Sequence, residues 1–187
     1  MSASVPGHSG AALERDDVIR RPVPSAKPIV LVVLSGGGFT FETKCILRAM
    51  EGDVDLVYLA TEFGGVPGEH GIPAGTSHRV PTFQTVSNKS TSQSIYAFLK
   101  VFLMTLAVIR RNKVNSVIGV GCSHAVPMFL AGMVLRRTNV FVESITRVND
   151  LSNTGKLVYR MRLSHLFVVQ WPGLKALYPR STLGTVL

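Results

Sequence analysis

Apolar positions fall in short runs separated by glycine- and serine-rich turns. Pro28 to Leu34 is a proline followed by an unbroken run of β-branched residues and leucine, the pattern of a strand buried on both faces. It stops at Ser35 and three consecutive glycines, Gly36, Gly37 and Gly38, and Thr40 to Met50 then has the composition of a helix. Asp55 to Ala60 is a second short strand, and the interval between the two strands fits a βαβ crossover. Gly64 to Gly75 carries turn chemistry without periodicity and reads as a long loop. Arg79 to Pro81 predicts a brief third strand at the same edge.

The second half repeats the device. Val114 to Val120 is a strand ending in Gly121-Cys122-Ser123-His124, and Ala125 to Leu135 is a helix whose Pro127 is tolerated in the first turn. Val140 to Val142 is the next strand, with Glu143 and Ser144 at its end. Asn149 to Tyr159 reads as loop then helix, Leu166 to Val169 as a strand, and Pro172 to Tyr178 as a short last helix. Strand and helix alternate throughout, which predicts an α/β fold with a parallel sheet and helices on both faces. In such a sheet ligands bind beyond the carboxyl ends of the strands. Residues 36–38, 121–124 and 143–147 would all fall on that edge.

Between the halves, serines and threonines at Ser87, Ser90, Thr91 and Ser92 precede an apolar helix over about Ser94 to Arg111. Its thirteen-residue stretch Ala97 to Ile109, broken by Lys100 and Thr105, is short of the roughly 20 apolar residues that span a bilayer. Two readings compete: a buried core helix, which is preferred, and a helix whose apolar face lies in a membrane surface beside Arg110, Arg111 and Lys113.

Charge adds an asymmetry. Residues 1–109 hold nine Lys/Arg and nine Asp/Glu, whereas residues 110–187 hold eleven Lys/Arg against only Glu143 and Asp150, so the net charge of +9 belongs to the second part. A basic half suggests an anionic partner, be it a phosphate-bearing substrate, nucleic acid or acidic lipid. Nucleic acid has little else in its favour, because no basic-aromatic interleaving of the RNA-recognition type is present. Cys45 and Cys122 are spaced neither for zinc nor for a redox pair, and the histidines and carboxylates form no metal-ligand pattern. Residues 1–27 are polar, contain Pro6, Pro22 and Pro24, and carry no secretory signal. They are expected to form a flexible tail before a single domain over residues 28–187.

A strand, a glycine turn and a helix start make an anion-binding device, because glycines let the backbone approach a ligand and first-turn N–H groups point at it. The motif is not a dinucleotide fingerprint, whose third glycine would replace Phe41, and it lacks the Gly-Lys-Ser/Thr of a P-loop. Glu42 could act on a ligand or simply complement the helix dipole. His124 could be a general base or a helix-entry residue, and Glu143 with Arg147 could be an ion pair or a substrate contact.

Three stretches carry a resemblance to a known family. Residues 35–42 (S-G-G-G-F-T-F-E) are similar to a G-S-G-G-H-T-x-E loop, and residues 121–127 (G-C-S-H-A-V-P) occupy the place of G-P-G-T-x-V-P. Residues 141–148, 151–159 and 167–172 are similar in order and spacing to V-E-S-x-x-R-V, L-S-x-x-G-K-L-x-Y and V-Q-W-x-x-L. The chain thereby resembles, over about residues 29–187, the membrane-associated subunit of the split N-acetylglucosaminyltransferase, the fourteenth of the asparagine-linked-glycosylation proteins, and its bacterial exopolysaccharide relatives of the PssD type.

The resemblance implies a Rossmann-like domain forming the acceptor-side half of a GT-B glycosyltransferase, with a separate small nucleotide-sugar-binding subunit as partner. It implies inverting transfer from a UDP-sugar, a co-substrate with no further cofactor, to a polyprenyl-pyrophosphate-linked saccharide at the cytoplasmic face of the membrane. The family histidine of the first loop is Phe39 here, so its part is either missing or passes to Glu42 or His124 as catalytic groups. Ser35, Gly36, Gly37, Gly38, Thr40, Gly121, Ser123, Glu143, Ser144 and Arg147 would bind substrate. No stretch here matches the membrane-spanning helix with which such proteins often begin, so attachment is expected to be peripheral or through a partner. The alternative is a non-catalytic scaffold that recruits a catalytic partner to the membrane.

Overall fold

A computed structural model describes residues 27–82 and 91–186. The tail expected over residues 1–27 lies, but for its last residue, outside the described residues, as do Ser87 and Ser90. Strands β1 (Ile29–Leu34), β2 (Asp55–Ala60), β3 (Thr76–Arg79), β4 (Ser116–Val120), β5 (Thr138–Val142), β6 (Leu166–Val169) and β7 (Thr182–Leu183) form one sheet in the order β3-β2-β1-β4-β5-β6-β7. Every pairing is parallel. Helices α1 (Gly38–Ala49), α2 (Thr91–Arg111), α3 (Ala125–Val134), α4 (Asn153–Arg160) and α5 (Pro172–Leu177) connect them. The order reverses between β1 and β4, the Rossmann-like arrangement in which a crevice opens at the carboxyl ends of the two diverging strands.

The period-two geometry of the strands separates two cores. Leu31 and Val33 of β1 join Val57 and Leu59 of β2 under α2, α3 and α4, where Val101, Ile109, Met128, Phe129 and Val158 are buried. Val30, Val32 and Leu34 point the other way, with Leu56, Tyr58 and Ala60, against Leu47 of α1. Each of the fully buried Tyr58, Phe129 and Phe141 contributes about 1.5–3 kcal/mol of transfer free energy. Tyr58 also donates its hydroxyl to the Pro73 carbonyl at 2.9 Å, tying the long 64–75 loop to the sheet.

The differences from the sequence reading are local. The third strand lies earlier than Arg79 to Pro81: β3 is polar and mostly exposed, so no apolar alternation marks it, and Pro81, lacking an N–H, follows its last backbone bond from Val80 to Ala60. Strand β5 begins at Thr138 because Asn139, a polar residue in mid-strand, is fully buried and donates its side-chain amide to the Phe129 and Leu163 carbonyls, both at 2.8 Å. Strand β7 has two residues, too few for any period.

Helix α2 departs most from expectation. By length and composition alone its segment Ser92–Arg111 could cross a bilayer. Yet Ala97, Val101, Thr105, Val108 and Ile109 form a buried stripe, and α2 packs along α3. The preferred core reading holds for that stripe only. On the opposite face Ile95, Tyr96, Leu99 and Leu103 are 64%, 68%, 51% and 54% exposed.

Candidate functional site

Four loops leave the carboxyl ends of β1, β4, β5 and β6 at the crevice. After β1 the chain turns sharply at Gly36, whose φ of +88° is left-handed, and a Cβ there would come within 2.5 Å of the Phe63 carbonyl oxygen. The neighbouring turn is fixed by Thr61, which donates its N–H to the Leu34 carbonyl at 3.0 Å and its hydroxyl to that of Ser35 at 3.2 Å. After β4, Gly121 has φ +55° and lies under the Phe39 ring, 2.5 Å from where its Cβ would be. Phe39 thus bridges the two glycine turns.

A cavity of about 390 Å³ opens between these turns. Ser35, Gly36, Phe39 and Phe63 line one side, and Gly121, Cys122, Ser123 and His124 another; Thr82, Arg147 and the start of α4 (Ser152, Asn153, Thr154) complete it. The N-cap of α3, His124, and the first turn of α4 therefore both face it, beside the turn that leads into α1. The positive ends of helix dipoles and one guanidinium favour an anion there. Among the described residues no carboxylate lines the cavity.

His124 is buried, and its Nε2 lies 3.2 Å from the Pro81 carbonyl. A carbonyl only accepts, so that contact places the proton on Nε2 of the neutral ring. Burial pushes the imidazole below its ordinary value of 6.5, against the opposing pull of the Pro81 carbonyl. Burial likewise raises the Cys122 thiol to about 11, which leaves it protonated and without thiolate reactivity.

The expected site residues divide into two groups. Ser35, Gly36, Gly121, Ser123, His124 and Arg147 line the cavity. Gly37, Gly38 and Thr40 do not: Gly37 caps α1 and Gly38 begins it, while the Thr40 hydroxyl is buried without a hydrogen-bond partner. Glu42, Glu143 and Ser144 also lie off the cavity and are joined to one another through hydrogen bonds. Burial raises the Glu143 carboxyl above its ordinary range, opposed by Ser144 and Ser152 donors and by the Arg147 charge. Sequence reasoning missed Phe63, Thr82 and the 152–154 segment. For the last, Ser-Asn-Thr ahead of a helical pattern is an N-cap signal, and Ser152 does cap α4, accepting from the Gly155 N–H at 2.9 Å.

A second cavity, of about 270 Å³, lies at the opposite rim and is lined in part by Tyr159, Arg162, His165 and Arg180. Arg180 stacks 4.2 Å over the Tyr159 ring and donates to the Tyr159 carbonyl at 2.9 Å, a cation near the end of α4.

Comparison with known proteins follows the same geography. The family described as oligosaccharide biosynthesis protein Alg14 like matches residues 74–187. The UDP-N-acetylglucosamine transferase subunit ALG14 of Homo sapiens is 33% identical over 117 residues, 59% of this chain and 53% of that protein. Its counterpart in Yarrowia lipolytica is 24% identical over 195 residues, covering 94% of this chain and 88% of that protein. The matched stretch spans about half the length of the mammalian relatives. Among solved structures, MurG of Acinetobacter baumannii superposes with a TM-score of 0.61 at 17% identity over 78% of this chain and 42% of its own. The UDP-GlcNAc 2-epimerase of Methanocaldococcus jannaschii gives 0.60 at 14% identity over 81% and 42%. These structural likenesses support the Rossmann-like α/β fold, and the sequence match supplies the family: the chain belongs to the Alg14-like family of oligosaccharide biosynthesis proteins.

Proposed function

We propose that this chain is the acceptor-side subunit of a two-chain, inverting glycosyltransferase that moves a sugar from a UDP-sugar to a polyprenyl-pyrophosphate-linked saccharide. The observation that carries the reading is the cavity at the switch point, where two helix N-termini, the glycine turn after β1 and Arg147 meet beside a buried neutral His124. Such a site suits a pyrophosphate. Its relatives are named transferase subunits, which supports a partner, and the fold likeness to MurG extends over 42% of that chain, the share expected of one half of a two-domain enzyme. The partner in this reading is a small subunit that holds most of the nucleotide sugar, and no cofactor beyond the UDP-sugar co-substrate is required.

His124 is the proton acceptor in this reading. Phe39 cannot take a proton, and both oxygens of Glu42 accept hydrogen bonds away from the cavity. A neutral imidazole with Nε2 protonated has its basic electron pair on Nδ1, the state a general base needs.

The outer face of α2 supports peripheral attachment to a membrane surface, which in this reading is the cytoplasmic one. Ile95, Tyr96, Leu99 and Leu103 share it, Met133 and Val134 of neighbouring α3 are exposed, and Lys100, Arg110 and Arg111 are the exposed cations of α2. An apolar stripe with cations suits an anionic bilayer holding the acceptor.

Reconstitution tests the reading: the purified chain, its small partner, a UDP-sugar and a polyprenyl-pyrophosphate acceptor should together give transfer, and each chain alone none. Full turnover by this chain alone would overturn the two-chain assignment. That no carboxylate among the described residues lines the cavity favours a second reading, a non-catalytic scaffold. That reading predicts unchanged turnover of the assembled pair with His124→Gln, whereas a base role predicts a loss of about 10²-fold or more.

A further inference from the structure

Behind the cavity wall stand two carboxylates that the transfer reading does not use. Glu42, in the first turns of α1, is 3% exposed, and Glu143, just past β5, is 0% exposed. Carboxylates at such depth are costly unless their lone pairs are filled, so the donors that fill them indicate what the pair does. Glu42 Oε1 accepts from the Ser144 hydroxyl at 2.6 Å, and Oε2 accepts from the Ile145 N–H at 3.0 Å and from Gln170 Nε2 at 2.9 Å. Glu143 Oε1 accepts from the Ser144 N–H at 3.0 Å, and Oε2 accepts both the N–H and the hydroxyl of Ser152 at 3.0 Å. Of these six donors only Gln170 Nε2 comes from outside the 144–152 loop.

The loop is therefore held at both ends. Its first turn, Ser144 and Ile145, is gripped by both carboxylates, and its last residue, Ser152, by Glu143. Between the two ends lies Arg147, which lines the cavity. Ser152 passes the hold onward, since the hydroxyl that donates to Glu143 also accepts the Gly155 N–H and caps α4. Gln170, the outside donor, gives Nε2 to the Glu143 carbonyl as well, at 2.9 Å, which links the end of β6 to the same cluster.

From this arrangement we infer that Glu42 and Glu143 are positioning residues: they clamp both ends of the 144–152 loop so that Arg147 and the first turn of α4 stand as one preformed wall of the cavity toward a phosphate-bearing ligand. The ligand in this statement rests on the reading above, whereas the clamp rests on the hydrogen bonds alone. Glu42 as a proton-transfer group is the competing role, and it would need an oxygen turned to the cavity.

Hydrogen exchange on the full chain separates the two. In Glu42→Ala the Ile145 amide, and in Glu143→Ala the Ser152 amide, should exchange about tenfold or more faster than in wild type, with β1 and β4 unchanged. Glu42→Gln, which keeps the shape and one acceptor oxygen, should recover part of the protection. Unchanged loop exchange in Glu42→Ala overturns the clamp. Should that variant loosen the whole sheet, Ser144→Ala decides at the Ile145 amide, because it removes the donor that holds Glu42 Oε1 and leaves both carboxylates in place: faster Ile145 exchange supports the clamp and unchanged Ile145 exchange overturns it.

Calorimetry with inorganic pyrophosphate tests the wall. Affinity should fall about tenfold in Glu42→Ala and recover in part in Glu42→Gln, a rescue that a proton-transfer role would not give. Equal affinity in wild type and a loosened Glu42→Ala overturns the link from clamp to ligand. Failure of wild type itself to bind pyrophosphate overturns the ligand reading, and the exchange result still decides the clamp.

Discussion

The Phe39 ring of the first glycine loop lies against Gly121 of the second, so close that a Cβ on Gly121 would come within 2.5 Å of a ring carbon. The contact joins β1 to β4 across the switch point and makes one floor of two turns. At Gly121 two penalties meet, a left-handed φ of +55° and the ring above it.

Gly121→Ala should therefore destabilise by about 2–4 kcal/mol, combining backbone strain with overpacking. Phe39→Ala in the same chain removes the ring and should leave about 1 kcal/mol of strain from the second substitution. Urea titrations of the four chains in a double-mutant cycle check this. Additive effects would mean that the ring and the glycine do not restrain each other.

The pH dependence of stability follows from His124. Its folded value lies below the ordinary 6.5 because burial disfavours the imidazolium. As pH falls, the unfolded chain takes up the proton first, so the contribution of this residue is full above 6.5 and is lost as pH falls from 6.5 through the lower folded value. The slope it adds is at most about 1.4 kcal/mol per pH unit. In His124→Gln, whose amide can still donate to the Pro81 carbonyl, unfolding midpoints between about pH 5 and pH 8 should lose that part of the decline. An unchanged decline would place the titrating group elsewhere.

The outer face of α2 predicts a separable membrane effect. Leu99 and Leu103 are 51% and 54% exposed, so Leu99→Glu with Leu103→Glu should change stability by no more than about 0.5 kcal/mol each. The same pair should abolish sedimentation with anionic phosphatidylserine vesicles at low salt, and raising the salt should weaken wild-type binding. Equal sedimentation of variant and wild type would remove α2 from the contact.

The parts of this molecule that repeat a simple physical pattern are the parts its sequence makes legible. The parallel sheet is readable because β1, β2, β4 and β6 are near-continuous apolar runs. The glycine turns at the crevice were readable for the same reason. The bounds of β3 are not legible because an exposed edge strand has no core face to pattern it, and the start of β5 is hidden because Asn139 interrupts the run with a polar residue whose partners, Phe129 and Leu163, lie on other elements. At the site the residue types were legible and their orientations were not. Whether Glu42 faces a ligand or a loop depends on Ser144, Ile145 and Gln170, all more than a hundred positions away. The α2 surface is ambiguous because large apolar side chains, Ile95, Tyr96, Leu99 and Leu103, also stand on the face away from its buried stripe, and sequence alone does not say what covers them.

Gly155 offers the sharpest reversal of a general rule. A glycine inside a helix is ordinarily improved by alanine, by about 0.5–1 kcal/mol, because alanine restricts the unfolded chain and favours helical backbone. Gly155 lies in α4 and is buried. A Cβ there would come within 2.0 Å of Glu143 Oε2 and 3.1 Å of the Ser152 hydroxyl oxygen, the groups that bind each other and cap the helix. The Glu143 oxygen cannot retreat without releasing both Ser152 donors, since it is fully buried and held from two sides. Gly155→Ala should therefore destabilise by about 2–4 kcal/mol, through overpacking together with the loss of hydrogen bonds to a buried carboxylate. Adding Glu143→Ala removes the obstructing oxygen, so Gly155→Ala in that background should cost little or stabilise by up to about 1 kcal/mol. Thermal unfolding of the single and double variants checks the change of sign. A stabilising Gly155→Ala in the otherwise wild-type chain would mean that Glu143 can vacate its place without loss, which its hydrogen bonds to Ser144 and Ser152 argue against.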